Sequence, residues 1–102
     1  MVLVSGVDGG ATKTVVVVGT LDGTLLGSAR VRPSNYHNIG IRKASKAIRS
    51  GLLAACQHGR VSVKDLQTVV MGLAGMDSPG DFRAGRQVAN LLGLGKRGIV
   101  KH

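Results

Sequence analysis

Between Gly6 and Thr14 the chain runs Gly6-Val7-Asp8-Gly9-Gly10-Ala11-Thr12-Lys13-Thr14, joining one carboxylate, bare backbone, two hydroxyls and one ammonium in nine residues. Phosphate chemistry uses these groups together. Glycines let backbone N–H groups approach phosphate oxygens, hydroxyls add donors, a lysine adds a point charge, and a carboxylate can hold hydrated Mg²⁺. Two better-known phosphate loops are excluded by spacing. A Walker loop ending at Lys13-Thr14 needs glycines where Val7 and Thr12 stand, and a dinucleotide fingerprint starting at Gly6 needs them where Asp8 and Ala11 stand. Both of those loops open a helix, whereas the β-branched run Val15-Val16-Val17-Val18 favours a strand. The segment therefore reads as a hairpin turn. An ordinary Gly-rich turn with Asp8 as a turn former has the same composition.

The elements that must position this turn follow from pattern. Val2-Leu3-Val4 through Asp8 is a strand, Gly9-Gly10-Ala11 a turn, and Thr14 to Gly19 a second strand. Asp22-Gly23 is a hairpin signal before a third strand, Leu25 to Val31, so the opening is an antiparallel meander. After the polar loop Pro33 to Asn38, apolar residues Ile41, Ala44, Ile48, Leu52, Ala55 and Cys56 recur at helical spacing. They predict a helix over Ile39 to Gln57 with Gly59 as its stop. Leu66 to Gly75 reads as a buried fourth strand. Ser78-Pro79-Gly80-Asp81 places a capping hydroxyl, a first-turn proline and an acid at N3, which starts a second helix. Phe82, Gly85, Ala89 and Leu92 mark that helix's inner face. Gly98 to His102 begins a fifth strand.

Composition bounds the rest. The chain has 102 residues, with 14 Lys and Arg against 5 Asp and no Glu, a formal charge of +9. By length it holds one domain or part of one. With Tyr36 and Phe82 as the only aromatics and 16 glycines, the core must be built from Val, Leu, Ile and Ala, which suggests a part of something larger. No apolar run approaches the roughly 20 residues of a membrane span, and the N-terminus lacks a secretory pattern, so a cytoplasmic address is expected. Cys56 stands alone, which excludes an internal disulfide.

Three segments in order carry a family resemblance. Gly6 to Thr14 resembles the first phosphate motif of the actin, heat-shock ATPase and hexokinase superfamily, in particular the Asp-Gly-Gly-Gly-Thr-Lys pattern of the BadF/BadG/BcrA/BcrD-type ATPases and N-acetylglucosamine kinases. Ser34-Asn35-Tyr36-His37-Asn38 is similar to that family's sugar-side Asn loop, and Gly72-Leu73-Ala74-Gly75-Met76-Asp77 to its Gly-Leu-Ala-Gly strand end. The resemblance implies an α/β, RNase H-like (actin-like ATPase) lobe in the order β-β-β-α-β-α-β with a mixed five-stranded sheet. It implies that Gly9, Gly10, Ala11, Thr12, Lys13 and Thr14 face the ATP phosphates and Asp8 the Mg²⁺ ion. Asn35 would contact a sugar hydroxyl, and Gly72 to Gly75 would line the cleft floor, where missing side chains leave room for substrate. Family members close two lobes around ATP, and their catalytic aspartate follows the strand begun here by Ile99-Val100. Residues 1–102 are thus expected to be the N-terminal lobe alone, stopping before the catalytic Asp and second lobe. No catalytic residue is assigned within them, and an amino sugar and the second lobe are the expected partners.

Other readings of the same residues stand beside this one. An ATPase driving electron transfer belongs to the same family but normally carries cluster-ligand cysteines, which Cys56 on a helix does not resemble. The charge of +9, with Arg42, Lys43, Lys46 and Arg49 on one helix face, could grip nucleic-acid phosphates. Against that, two aromatics offer no stacking platform, and the bases are spread from Lys13 to Lys101. A binding-inert piece that forms homo-oligomers through an exposed sheet edge is a third reading. His37 and His58 read as solvated, Met71 and Met76 as core filler, and Asp81 as a helix cap.

Overall fold

Burial alternates along Leu3–Gly9 and along the β-branched run of Thr14–Thr20, so that every second residue of each turns to a core, and both are strands, β1 and β2. The computed structural model describes residues 1–101. The remaining elements are β3 (Leu25–Val31), α1 (Tyr36–Gly59), β4 (Leu66–Leu73), α2 (Pro79–Leu91) and β5 (Gly98–Lys101). One five-stranded sheet has the order β3-β2-β1-β4-β5, antiparallel between β1, β2 and β3 and parallel from β1 through β4 to β5.

Both crossovers, β3 to β4 through α1 and β4 to β5 through α2, step the same way across the sheet. Right-handed connections of that kind put both helices on one face. α1 packs on β2 and β3, α2 on β5, and the helices on each other. Between them and the sheet lie Val16, Val18, Ile48, Leu52, Leu66, Val69, Met71, Met76 and Val88, each 2% exposed or less. Burial of each such side chain contributes about 1.5–3 kcal/mol. Cys56 lies in this core, and burial pushes its thiol pKa up. The opposite sheet face carries Gly6, Asp8, Val15, Val17, Val70, Gly72, Ile99 and Lys101 and has no helix over it among the described residues.

The expected order holds throughout, with local differences that have physical causes. α1 starts at Tyr36 instead of Ile39 because Asn35 caps it, accepting from the His37 N–H, and Gly40 (φ 84°, ψ 163°) then kinks the first turn away from the rest. The left-handed residue at the helix end is Arg60, not Gly59. Gly59 lies where the helix end crosses Gly27 of β3, and it is Gly27 that must lack a side chain, since a Cβ on it would strike the Ala55 carbonyl oxygen and lie 2.5 Å from the Gly59 nitrogen. β4 stops at Leu73, leaving Ala74-Gly75 as a turn. The fifth strand is described to Lys101, and its expected last residue, His102, lies outside the described residues. No helix among the described residues is long and apolar enough to cross a membrane.

Candidate functional site

The hairpin joining β1 to β2 is closed by the Gly10 N–H donating to the Lys13 carbonyl at 2.8 Å. At its tip Ala11, Thr12 and Lys13 are exposed, and the N–H groups of Ala11 and Thr12 donate to no acceptor among the described residues. Ala11 has no positive φ, so the methyl group there strains nothing. Gly9 is held from two sides. Its carbonyl accepts from Ala74 N–H at 2.7 Å, and a Cβ on it would lie 2.6 Å from Ser34 Oγ, so only glycine lets these segments meet.

Thr14 departs from its expected place facing phosphate. It is fully buried, and its hydroxyl donates to Ser34 Oγ at 2.6 Å on the helix side of the sheet. The reason is strand alternation: Thr14 shares its face with Val16 and Val18, which form the core. Ser34, itself 2% exposed, also donates its N–H to the Gly10 carbonyl at 3.2 Å. The Thr14 hydroxyl thus braces the hairpin against the loop that carries Asn35.

Asp8 points the other way, onto the uncovered face. Register aligns Val15, Asp8, Gly72 and Lys101 in one row across β2, β1, β4 and β5. With no side chain at Gly72, the row forms an open depression of about 370 Å³ lined also by Gly6, Val17 and Val70. It sits at the carboxyl ends of β1, β4 and β5, where open parallel sheets bind ligands. Among the described residues no three His, Cys, Asp or Glu side chains cluster as a ready-made metal cage. One exposed carboxylate suits Mg²⁺, which keeps several waters and is held by one or two carboxylates together with substrate phosphates. Asp8 would hold that ion, and Lys13 at the neighbouring tip would offset phosphate charge.

The loop after β3 meets the end of β4. Asn35 Oδ1 accepts from the His37 N–H at 3.0 Å, so its Nδ2 is the group left for a ligand. A Cβ on Gly75 would lie 3.4 Å from that Oδ1 and would strike the His37 ring. His37 thus fills the space a side chain at position 75 would take, while Gly75 itself stays partly exposed. His37 Nε2 lies 3.0 Å from the Gly75 carbonyl and 3.1 Å from Asp81 Oδ1. Facing two acceptors, Nε2 carries its hydrogen. His37 is half exposed yet belongs to a network, and the expectation of a simply solvated ring does not hold.

Asp81 anchors that network. Its Oδ2 accepts from Asp77 N–H and Ser78 N–H, each at 3.0 Å, and from Ser78 Oγ at 2.9 Å, while its own N–H donates to Ser78 Oγ, a capping box at the start of α2. Oδ1 accepts from Tyr36 Oη and pairs with His37. The Tyr36 hydrogen bond, followed by the Asp77 N–H, holds the Asp81 carboxyl well below the usual carboxylate range. The same bond pushes the Tyr36 phenol up to about 12. Pattern reading found the cap but not the Tyr36–Asp81 link across 45 positions, for which the sequence carries no local signal.

The fold is the actin-like ATPase lobe, shared with sugar kinases. A protein from Chromobacterium violaceum designated an N-acetylglucosamine kinase is 27% identical, with TM-score 0.69, over 98% of this chain and 34% of that one. A ROK hexokinase from Thermus thermophilus (20% identity, TM-score 0.72, 97% of this chain and 33% of that one) has the same fold. So does a ROK glucokinase from Streptomyces griseus solved with glucose and AMPPNP (23% identity, TM-score 0.68, 98% and 33%). The chain thus spans about a third of the length of these structures. Residues 5–90 match the BadF/BadG/BcrA/BcrD ATPase family, and the chain belongs to that family. No curated protein matches significantly.

Proposed function

We propose that residues 1–102 form the N-terminal, phosphate-binding lobe of an ATP-dependent sugar kinase of the N-acetylglucosamine kinase type. The observation that carries this reading is the pairing of a hairpin tip with free N–H groups and Lys13 beside Asp8, on an uncovered face at the carboxyl ends of the parallel strands. In this reading Mg·ATP lies over that face, with Ala11, Thr12 and Lys13 at its phosphates and Asp8 toward the metal. Gly9 and Gly10 serve by shape, letting the hairpin close tightly. Mg²⁺ would supply charge neutralisation at the transferring phosphoryl group. Asn35 Nδ2 would donate to a sugar hydroxyl at the adjoining strand end. In this reading the chain supplies one of the two lobes between which ATP is held, corresponding to about a third of a kinase-length protein. The electron-transfer ATPase reading finds no support at Cys56, which is buried under the sheet on the helix side.

Calorimetric titration of the chain with Mg·ATP, beside Asp8→Ala and Lys13→Ala, tests the reading. Loss of a charge-assisted contact worth about 1.5–3 kcal/mol predicts at least about tenfold weaker binding for each variant. A folded chain that evolves no heat, or two variants that bind as tightly as the parent, would refute a phosphate site at the hairpin.

A further inference from the structure

The Asp81 carboxylate serves two elements through its two oxygens. Oδ2 is occupied by the first turn of α2, and Oδ1 by Tyr36 and His37, which begin α1. His37 Nε2 lies 3.1 Å from Asp81 Oδ1, and no Lys or Arg side chain is paired with Asp81 among the described residues. Asn35 directly precedes Tyr36 and His37. It caps α1 through the His37 N–H, and Gly40 uncouples the turn carrying all three from the body of the helix. Four residues of the first turn thus sit before a kink. Ser34 ties the preceding loop to the β1–β2 hairpin and the Tyr36 ring packs on the core, while the polar contacts that link the turn to the end of β4 and the start of α2 are those of Asp81 Oδ1 and the Gly75 carbonyl.

We infer that Asp81 is a positioning residue for substrate: through Tyr36 and His37 its Oδ1 fixes where Asn35 presents Nδ2 beside the end of β4. This inference rests on the sugar-side role proposed for Asn35. Helix capping alone requires only Oδ2, and it gives no reason for a buried carboxylate to receive two further side chains from a segment more than forty residues away. The kink supplies the reason. Without Oδ1, the turn from Tyr36 to Ile39 keeps its cap but loses its orientation relative to Gly75.

Tyr36→Phe with His37→Ala removes both Oδ1 donors and leaves Ser78 and Oδ2 untouched. His37→Gln keeps an N–H donor at similar reach. In the ¹⁵N-labelled chain, backbone order parameters at residues 35–38 are expected to fall in the double variant from about 0.85, the rigid range, to below about 0.6. N-acetylglucosamine affinity, followed at the Asn35 and Gly75 signals, is expected to weaken about tenfold or more. Tyr36→Phe with His37→Gln should recover most of both, while Mg·ATP affinity and the order of α2 stay unchanged in every variant. A loop that stays rigid in the double variant, or α2 amides that loosen in step with it, would overturn the positioning role. If the loop depends on Tyr36 and His37 as expected but the parent chain gives no sugar response at Asn35 or Gly75, the positioning of Asn35 stands and the sugar reading of that loop falls.

Discussion

Thr14 and Ser34 offer the sharpest test of how the hairpin is held. Their hydroxyls are 2.6 Å apart, with Thr14 at 0% and Ser34 at 2% exposure, so neither can turn to water when its partner is lost. Thr14→Val keeps the shape of the side chain and strands the Ser34 hydroxyl. Ser34→Ala strands that of Thr14. Each single variant should cost about 1–3 kcal/mol, the desolvation cost of a buried polar group left unpaired. In the double variant no stranded hydroxyl remains, so its cost should fall short of the sum of the two singles by about 1–2 kcal/mol. For a domain near this size each kcal/mol moves Tm by about 4–8 °C, well within the reach of thermal or urea denaturation. The same proteins titrated with Mg·ATP check the geometry independently. Because the Thr14 hydroxyl faces the core, Thr14→Val should change affinity far less than Lys13→Ala. Additive single costs would refute the buried pair, and a loss of Mg·ATP affinity equal to that of Lys13→Ala would return the Thr14 hydroxyl to the phosphate site.

Three further outcomes follow from the same contacts. Gly75→Ala forces a methyl group into the left-handed region at φ 85° and into the His37 ring, and should cost about 1–3 kcal/mol. Adding His37→Ala should recover only the steric part, as read by Tm; full recovery would exclude backbone strain. The Asp81 carboxyl is depressed in the folded state, so its contribution is present above the ordinary carboxylate range and is lost as pH falls through the lower folded value. The Tyr36 phenol is raised from 10.0 to about 12, so its contribution is present below 10.0 and is lost as pH rises toward 12. Urea midpoints against pH should therefore decline at both ends, with the alkaline limb absent in Tyr36→Phe; an unchanged limb would assign it elsewhere. Replacing Arg42, Lys43, Lys46 and Arg49 with Gln should leave Mg·ATP binding unaltered, since α1 lies on the opposite side of the sheet from Asp8. Tight, salt-steep polynucleotide binding by the parent chain that this variant loses, with ATP without effect, would favour a nucleic-acid role instead.

Local chemistry made much of this protein legible from sequence. The β-branched run at Val15–Val18 set a strand where other phosphate loops have a helix, and the apolar spacing from Ile41 to Cys56 set α1. Ser78, Pro79 and Asp81 marked the start of α2 to the residue. These signals act over a few positions, and neighbouring residues suffice to produce them. The side on which each hydroxyl and ring would fall needed the assembled sheet. Strand alternation turned Thr14 into the core while sending Asp8 to the open face, and which face was core depended on where both crossovers laid their helices. His37 looked solvated because its partners, the Gly75 carbonyl and Asp81, lie 38 and 44 positions away and are brought near only by the pairing of β1 with β4. The residue types at the hairpin, the Asn loop and the strand end were fixed by sequence alone; their meeting at one edge of the sheet was decided by packing, because backbone pairing and burial act between segments that no local pattern connects.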